Sequence, residues 1–552
     1  MMLSSIIWLP VIGAILIGVL PRFSRSIALI VSGVTLAITI AIAATFNYQD
    51  VGLQFVEHFS WIEPLGLDYQ VGIDGLSLPL VILNTLLVLL SVQATDKDVE
   101  RPRLFHALLL LVSTAVTGAF LAQNLLLFFL FYELELIPLY LLIAIWGGEK
   151  RGYAATKFLI YQALSGIILL AGFLSWAWFT KTGDFNYESL AATHLPANLQ
   201  LLFLSIIVLG FGIKMPLVPF HTWLPDAYVE ASTPVSMLLG GIISKLGTYG
   251  LIRFGLGLFP DAWVIVAPYL ALIAVFTAVY GSLIAIAQTD IKKTIAYSSV
   301  AHLSYVLLAT AAGTSLSVLG AVCQMVAHGL ILALLFNLVG IIEAKTGTRE
   351  LNQLHGLLNP KRGLPFVGAI LILTMMASAG IPGMVGFIGE FLSFQGSYAA
   401  FPIATLICLA STGLTSVYFI IIINRALFGK LTDDLTYLPK VASYERVPAI
   451  VLATLIILLG IQPNILISHT QVTTDAIAQQ LPSSIVATIP HATTQIAELK
   501  NPLPGAESAV LGRDVLGGSF PPKARLFPNW AGDPTRQVEH LFKTGVPVGR
   551  GG

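Results

Sequence analysis

Apolar runs of about twenty residues, parted by short polar loops, follow one another from residue 3 to residue 467. A helix needs about 20 mostly apolar residues to cross a bilayer. The pattern predicts fourteen such helices, near 3–20, 26–46, 76–95, 105–122, 124–146, 157–179, 199–217, 233–257, 263–286, 294–312, 317–342, 365–395, 402–427 and 447–467. The runs at 317–342 and 365–395 are long and hold Gly or Pro, so both are expected to be broken. Residues 47–75 are acidic and mixed, with alternation at 51–55, which predicts a small hairpin outside the membrane. After 468 the chain turns polar and rich in Pro, Gly and Ala, as an extended arm rather than a second domain would be. It is either a loose terminus or an arm lying along a neighbouring subunit. The expected organisation is three-part: helices 1–2 with an outer loop (1–75), a transmembrane core (76–467) and a polar tail on the outer side (468–552).

Composition supports an all-α polytopic membrane protein. Of 552 residues only 11% are charged and 56% are hydrophobic, whereas soluble domains carry about 25% charged residues. The net charge is zero, which gives no electrostatic case for a nucleic-acid partner. Cys323 and Cys408 lie in separate apolar runs, which argues against a zinc or iron–sulfur site. No Gly-rich loop follows a strand; Gly255-Leu256-Gly257 sits inside an apolar run, so neither bound NAD nor ATP is expected. Residues 1–20 lack the basic start of a signal peptide, and Arg22 and Arg25 come after the run, as in a retained first helix that starts outside. On that orientation, eighteen Lys and Arg residues, among them Lys150, Arg151, Lys292, Lys293, Lys361 and Arg362, fall on the cytoplasmic side. Two, Lys181 and Arg253, fall on the other. This asymmetry supports the alternating topology, with both termini on the lumenal or periplasmic side.

The segment Gly212-Ile213-Lys214-Met215-Pro216 of run seven returns loosely as Gly380-Ile381-Pro382-Gly383-Met384 of run twelve. Five helices separate the copies, so they cross the membrane in opposite directions. Two inverted five-helix repeats with broken helices 7 and 12 are expected, and paired breaks of this kind point to a transport site at mid-membrane.

Five ionisable residues fall inside the apolar runs: Glu133, Lys214, Lys245, His328 and Glu390. A charge at the bilayer centre costs roughly 2.5 kcal/mol or more, and acids, amines and imidazole together can pass protons. Glu133 and Glu135 point about 200° apart round a helix, so one is expected to face the interior. Glu133, after the apolar run 128–132, is the favoured partner of Lys214. Lys214 precedes Pro216 and Pro219, beside a helix break that water can reach. Lys245 sits among Ser244, Gly247 and Thr248, whose hydroxyls could hold waters leading to His328. Gln324 and His328, four apart, share a helix face. Glu390 follows the second break and could release a proton to the other side. His302 is a secondary candidate. A carboxylate reaching back to water, a structural ion pair, a hydrogen-bonded core histidine and a helix-capping glutamate remain alternatives for these residues.

At these residues the chain resembles the antiporter-like proton-pumping subunits of complex I and the photosynthetic NDH complex, related to Mrp sodium/proton antiporters. The matching segments, within about 70–460, are GIDGLSLP at 72–79, YELELIP at 132–138, GIKMP at 212–216 running to HTWLPDA at 221–227, Asp290 through Ser299 to His302, and QMVAHG at 324–329. Glu390, in GFIGEF at 386–391, makes it most similar to the NuoM/NdhD type, since the sister subunits carry lysine there. Ser304 departs from the pattern, where glycine is expected, and the tail exceeds the common core. The resemblance implies Glu133 and Lys214 as a modulating pair, Lys245 and His328 as a central relay, and Glu390 as the exit. His302, Gln324, His221 and Asp226 have supporting places. It implies no cofactor or metal on this chain, and as partners the neighbouring antiporter-like membrane subunits and lipid. It further implies pumping coupled to remote quinone reduction, plastoquinone if the membrane is a cyanobacterial thylakoid. The tail and the GEF context suggest a specialised carbon-dioxide-uptake form of the complex. A stand-alone cation/proton antiporter and a solute transporter are the competing readings.

Overall fold

In the computed structural model, residues 1–180, 183–191, 195–431 and 438–481 are described. They fall within one structural unit, Met1–Ile489. Among the described residues, twelve helices are long and apolar enough to cross a membrane. Leu78–Ala94 and Pro365–Ser378 are apolar but shorter. Three spans, Thr233–Leu256, Ile291–Ala312 and Ser315–Thr346, are buried almost throughout and form the middle of the bundle. Outer helices instead present large apolar side chains such as Ile167, Trp178, Leu272 and Ile403 to the surroundings, as lipid contact requires. The expected hairpin is present: Gln54–Ile62 pairs antiparallel with Leu67–Ile73.

Breaks decide where polar backbone meets the bundle interior. Helix Ala197–Lys214 ends at Met215, ahead of Pro216 and Pro219, and the chain resumes as a short helical turn and then Trp223–Glu230. Pro365–Ser378 and Val385–Tyr398 are parted by 379–384, where Gly380 and Gly383 take φ of 72° and 91°, values that L side chains rarely adopt. Runs seven and twelve are thus broken as expected.

Three features differ from expectation. Ser315–Thr346 is one unbroken helix; its Gly320 and Gly329 serve close packing against residues 392–393 and Gly241 instead of breaking it. The fifth run is interrupted at Glu135, between Leu125–Leu134 and Leu136–Trp146. Pro138 has no N–H for the carbonyl four residues back, which loosens the helix there. Thr233–Leu256 carries two π-helical turns, Leu239–Ile243 and Leu251–Leu256, either side of Lys245–Gly250. In addition, the 468 boundary falls inside a helix, Asn464–Gln479, fastened where the Gly75 N–H donates to Thr473 Oγ1 at 3.1 Å. The tail expected from 468 is therefore helical to Gln479; its remainder, 482–552, lies outside the described residues.

Candidate functional site: a buried string of ionisable groups

Lys214, the last residue of its helix, pairs with Glu135, and both side chains are almost wholly buried. This corrects the sequence-based pairing with Glu133. A cation is favoured at a helix C-terminus, where carbonyls lack partners, and the Lys214 ammonium also lies 4.0 Å from the centroid of the Tyr132 ring. The Tyr132 hydroxyl is fixed by Ser165 at 2.8 Å, and Ser165 donates to the Gly210 carbonyl. Glu133 is half-buried, and its carboxylate lies against Gly166, where any side chain would collide with it. The interruption at Glu135, signalled by Pro138, was the feature missing from the face assignment.

A second set of groups starts at Lys245. Its ammonium donates to the Gly240 carbonyl, in the first π turn, and lies 2.8 Å from His328 Nδ1. The His328 and His302 rings are 5.8 Å apart between centroids. His302 Nδ1 is 3.2 Å from Glu390 Oε1, while its Nε2 is 3.4 Å from Ser378 Oγ. Lys245, His328, His302 and Glu390 are all buried, and they follow one another in space in that order. His302, secondary in the sequence reading, stands between two principal candidates. Gln324 lies against Gly389, next to Glu390, with its Oε1 unpartnered. Thr248 does not lead to His328 as expected: its hydroxyl bonds to the Lys245 carbonyl and Met325 Sδ. Lys245 reaches the histidine directly.

The two sets adjoin. A Cβ at Gly247, in the Lys245 span, would lie 3.2 Å from Lys214 Cβ, so glycine lets the two helices close at that level. Lys245 is the thirteenth residue of a 24-residue span and His302 the twelfth of a 22-residue helix. Glu135 divides its span, and Glu390 follows the 379–384 break. All therefore sit near mid-membrane level.

His221 and Asp226 are not in the string. His221 is buried beside the Tyr280 and Tyr297 rings, with Nδ1 unpartnered. Asp226 pairs with Lys157 at 2.7 Å on a partly exposed edge. Among the described residues, the buried charged groups that escaped the sequence reading include Arg253 and Lys292. Arg253, expected on an outer helix end, is buried and paired with Asp74; Asp74 lies in the GIDG segment, the one signal that could have found it. Lys292, expected in an exposed loop, is buried and pairs with Glu343 at 3.3 Å. Nearby, Arg349 joins Asp290 and Glu343. Burial raises the Asp290 carboxyl above its ordinary range, and the Arg349 guanidinium opposes that shift.

Residues 122–415 match the family described as NADH:quinone oxidoreductase/Mrp antiporter, TM. NAD(P)H-quinone oxidoreductase chain 4 1 of a Synechococcus species is 40% identical over 499 residues, covering 88% of this chain and 94% of that protein. The protein of the same name from a Nostoc species is 38% identical over 513 residues, covering 88% and 95%. Among solved structures, a chain of respiratory complex I from Thermus thermophilus superposes with a TM-score of 0.80 at 26% identity, over 88% of this chain and all of that one. A chain of the Mrp complex from Dietzia sp. DQ12-45-1b gives 0.78 at 21% identity, over 88% and 98%, a likeness of fold.

Proposed function

Since the chain belongs to the NADH:quinone oxidoreductase/Mrp antiporter family of membrane proteins, we propose that it is the proton-translocating subunit of an NDH-type quinone oxidoreductase complex. The observation that carries this reading is the contact order Lys245, His328, His302, Glu390, adjoining the Glu135–Lys214 pair. Each member can hold or release a proton, and each lies within contact of the next or across one short gap that a water could fill. Breaking a buried pair leaves an uncompensated charge, which costs about 3–5 kcal/mol. A conformational change that parts Glu135 from Lys214 thus raises the free energy of charge at that end of the string. Moving a proton along the string relieves it. Glu135 with Lys214 is the modulating pair, Lys245 and the two histidines the relay, and Glu390 the release point. Glu133, half-buried beside Gly166, has a lesser, electrostatic role, and Gln324, His221 and Asp226 lie off the path. The chain performs no redox chemistry itself and holds no cofactor; quinone, plastoquinone in a cyanobacterial thylakoid, is reduced elsewhere in the complex. Its partners are neighbouring membrane subunits and lipid. The length of the polar tail and the GEF context at 389–391 are the grounds for proposing a carbon-dioxide-uptake form of that complex.

Purification in mild detergent separates this reading from its rivals. Co-isolation with a large quinone-reducing complex supports it, whereas a lone oligomer exchanging sodium for protons supports an antiporter. In proteoliposomes of the assembled complex, Lys245→Arg retains charge but holds its proton at any physiological pH. It is expected to lower the proton-to-electron ratio with the complex intact. An unchanged ratio removes Lys245 from the pathway.

A further inference from the structure

The relay needs a supply, and the Lys/Arg-rich side of the molecule offers one. A cavity of about 320 Å3 is lined there by Glu230, Ser232, Lys292, Asn337 and Glu343. Two of its polar atoms, Ser232 Oγ and Asn337 Oδ1, are buried without a partner, and unsatisfied buried groups of this kind call for water. Tyr228, one turn back from the cavity wall, is fully buried between Trp223 and Phe336. Its hydroxyl donates to the Leu239 carbonyl at 2.8 Å. The next carbonyl along, Gly240, takes the Lys245 ammonium. Both belong to the π turn Leu239–Ile243, whose wider hydrogen-bond spacing leaves carbonyls free for other donors. The Ser244 and Ser299 hydroxyls flank the Tyr228 phenol, and both are fully buried. Ser299 stands one helical turn before His302, and Ser244 immediately before Lys245. Three hydroxyls thus gather between a polar cavity and the relay lysine in an otherwise apolar interior.

We propose that Tyr228, with Ser244 and Ser299, is the passage by which Lys245 is reprotonated from the Lys/Arg-rich side. The inference rests on the relay reading above. In the step, a cavity water hands a proton to the Tyr228 oxygen and is reprotonated from the aqueous Lys/Arg-rich side, while the phenolic proton passes, through Ser244 or a water beside it, to the neutral Lys245 amine. One O–H bond forms and one breaks on Tyr228, which ends unchanged. The net result is one proton taken in through the cavity and one ammonium formed. Tyr228 is thus a member of the transfer path, its own oxygen gaining one proton and losing another.

The charged or titratable groups around Lys245 are few. His328 touches it from Ser315–Thr346. Lys214 comes from Ala197–Lys214 and is paired with Glu135. Arg253, two turns along its own span, is paired with Asp74. His106 is carried by Pro102–Leu121, near that helix's start. A change in the pH profile on altering the uncharged Tyr228 hydroxyl therefore reports supply to Lys245 and not a lost ion pair.

The test uses the assembled complex in proteoliposomes, with pumping and electron transfer followed together from pH 6 to pH 9, for wild type, Tyr228→Phe, Ser244→Ala and Lys245→Arg. Tyr228→Phe keeps the ring and its packing. Supply slowed about tenfold moves the alkaline fall in pumping down by about one pH unit, leaves the rate at pH 6 near that of wild type, and gives Ser244→Ala a smaller shift in the same direction. An equal loss at every pH marks Tyr228 as merely structural and overturns the inference. A wild-type profile in Tyr228→Phe with Lys245→Arg inactive overturns it too, and leaves the relay standing. If Lys245→Arg also pumps normally, the relay reading itself is wrong. Should Tyr228→Phe fail to assemble, Ser244→Ala decides on the same criterion.

Discussion

Glu135 and Lys214 neutralise each other where neither reaches water. Glu135→Gln keeps the shape of the side chain but leaves the ammonium unpaired, at a cost of about 3–5 kcal/mol. Pumping by the assembled complex is expected to fall roughly tenfold or more by the same argument, while Glu133→Gln, which leaves the pair intact, falls far less. The proton-to-electron ratio of the two variants side by side is the measurement; equal losses would mean that Glu133 shares the ammonium. The residues legible in sequence were those whose cost betrays them. Lys245, His328 and Glu390 stand out because a charged or titratable group in an apolar run demands a reason. His302 was undervalued because a lone histidine in an apolar run reads first as a hydrogen-bonded core residue; both the expected run at 294–312 and the helix Ile291–Ala312 put it halfway along. The choice between two carboxylates two residues apart depends on how the helix is interrupted between them, and apolar periodicity carries no record of that.

At the scale of the element, glycines set how near the string's helices approach. A Cβ at Gly389 would lie 2.7 Å from Gln324 Cα and 2.9 Å from its nitrogen. Both neighbours are backbone and cannot swing aside. Gly389→Ala must push the Val385–Tyr398 and Ser315–Thr346 helices apart, and overpacking of this kind costs about 1–3 kcal/mol. The displaced helix carries Glu390, so lower thermal stability and weaker pumping should appear together. A Gly413→Ala control, where a Cβ meets nothing within 4 Å, should change neither. Gly-Pro spacing announced the breaks in runs seven and twelve, since proline and left-handed glycine act locally. The π turns of Thr233–Leu256 left no such mark. Their glycines recur in unbroken helices such as Ser315–Thr346, and the carbonyls released in the first turn, Leu239–Ile243, are taken by Tyr228 from another helix and by Lys245 of the same span.

For the whole molecule, charge asymmetry fixed the expected orientation, and single cysteines can read it. With Cys323 and Cys408 replaced by alanine, Lys150→Cys should react with an impermeant thiol reagent from the cytoplasmic or stromal side only. Leu65→Cys, in the exposed hairpin turn, should react from the other. Labelling of both from one side would refute the alternation. The run pattern and the segments at 132–138, 212–227 and 324–329 were enough to recognise this architecture, because crossing a bilayer leaves few solutions. Pairings such as Asp74 with Arg253, 179 residues apart, arise only when the bundle closes. The mid-membrane level shared by Glu135, Lys245, His302 and Glu390 has an electrical consequence. A charge travelling from one to the next moves parallel to the membrane plane and crosses almost none of the transmembrane voltage. The work of about 2.3 kcal/mol per elementary charge per 100 mV is then met at the two openings, where the path turns toward either face, and the steps between them are nearly indifferent to the potential against which the protein operates.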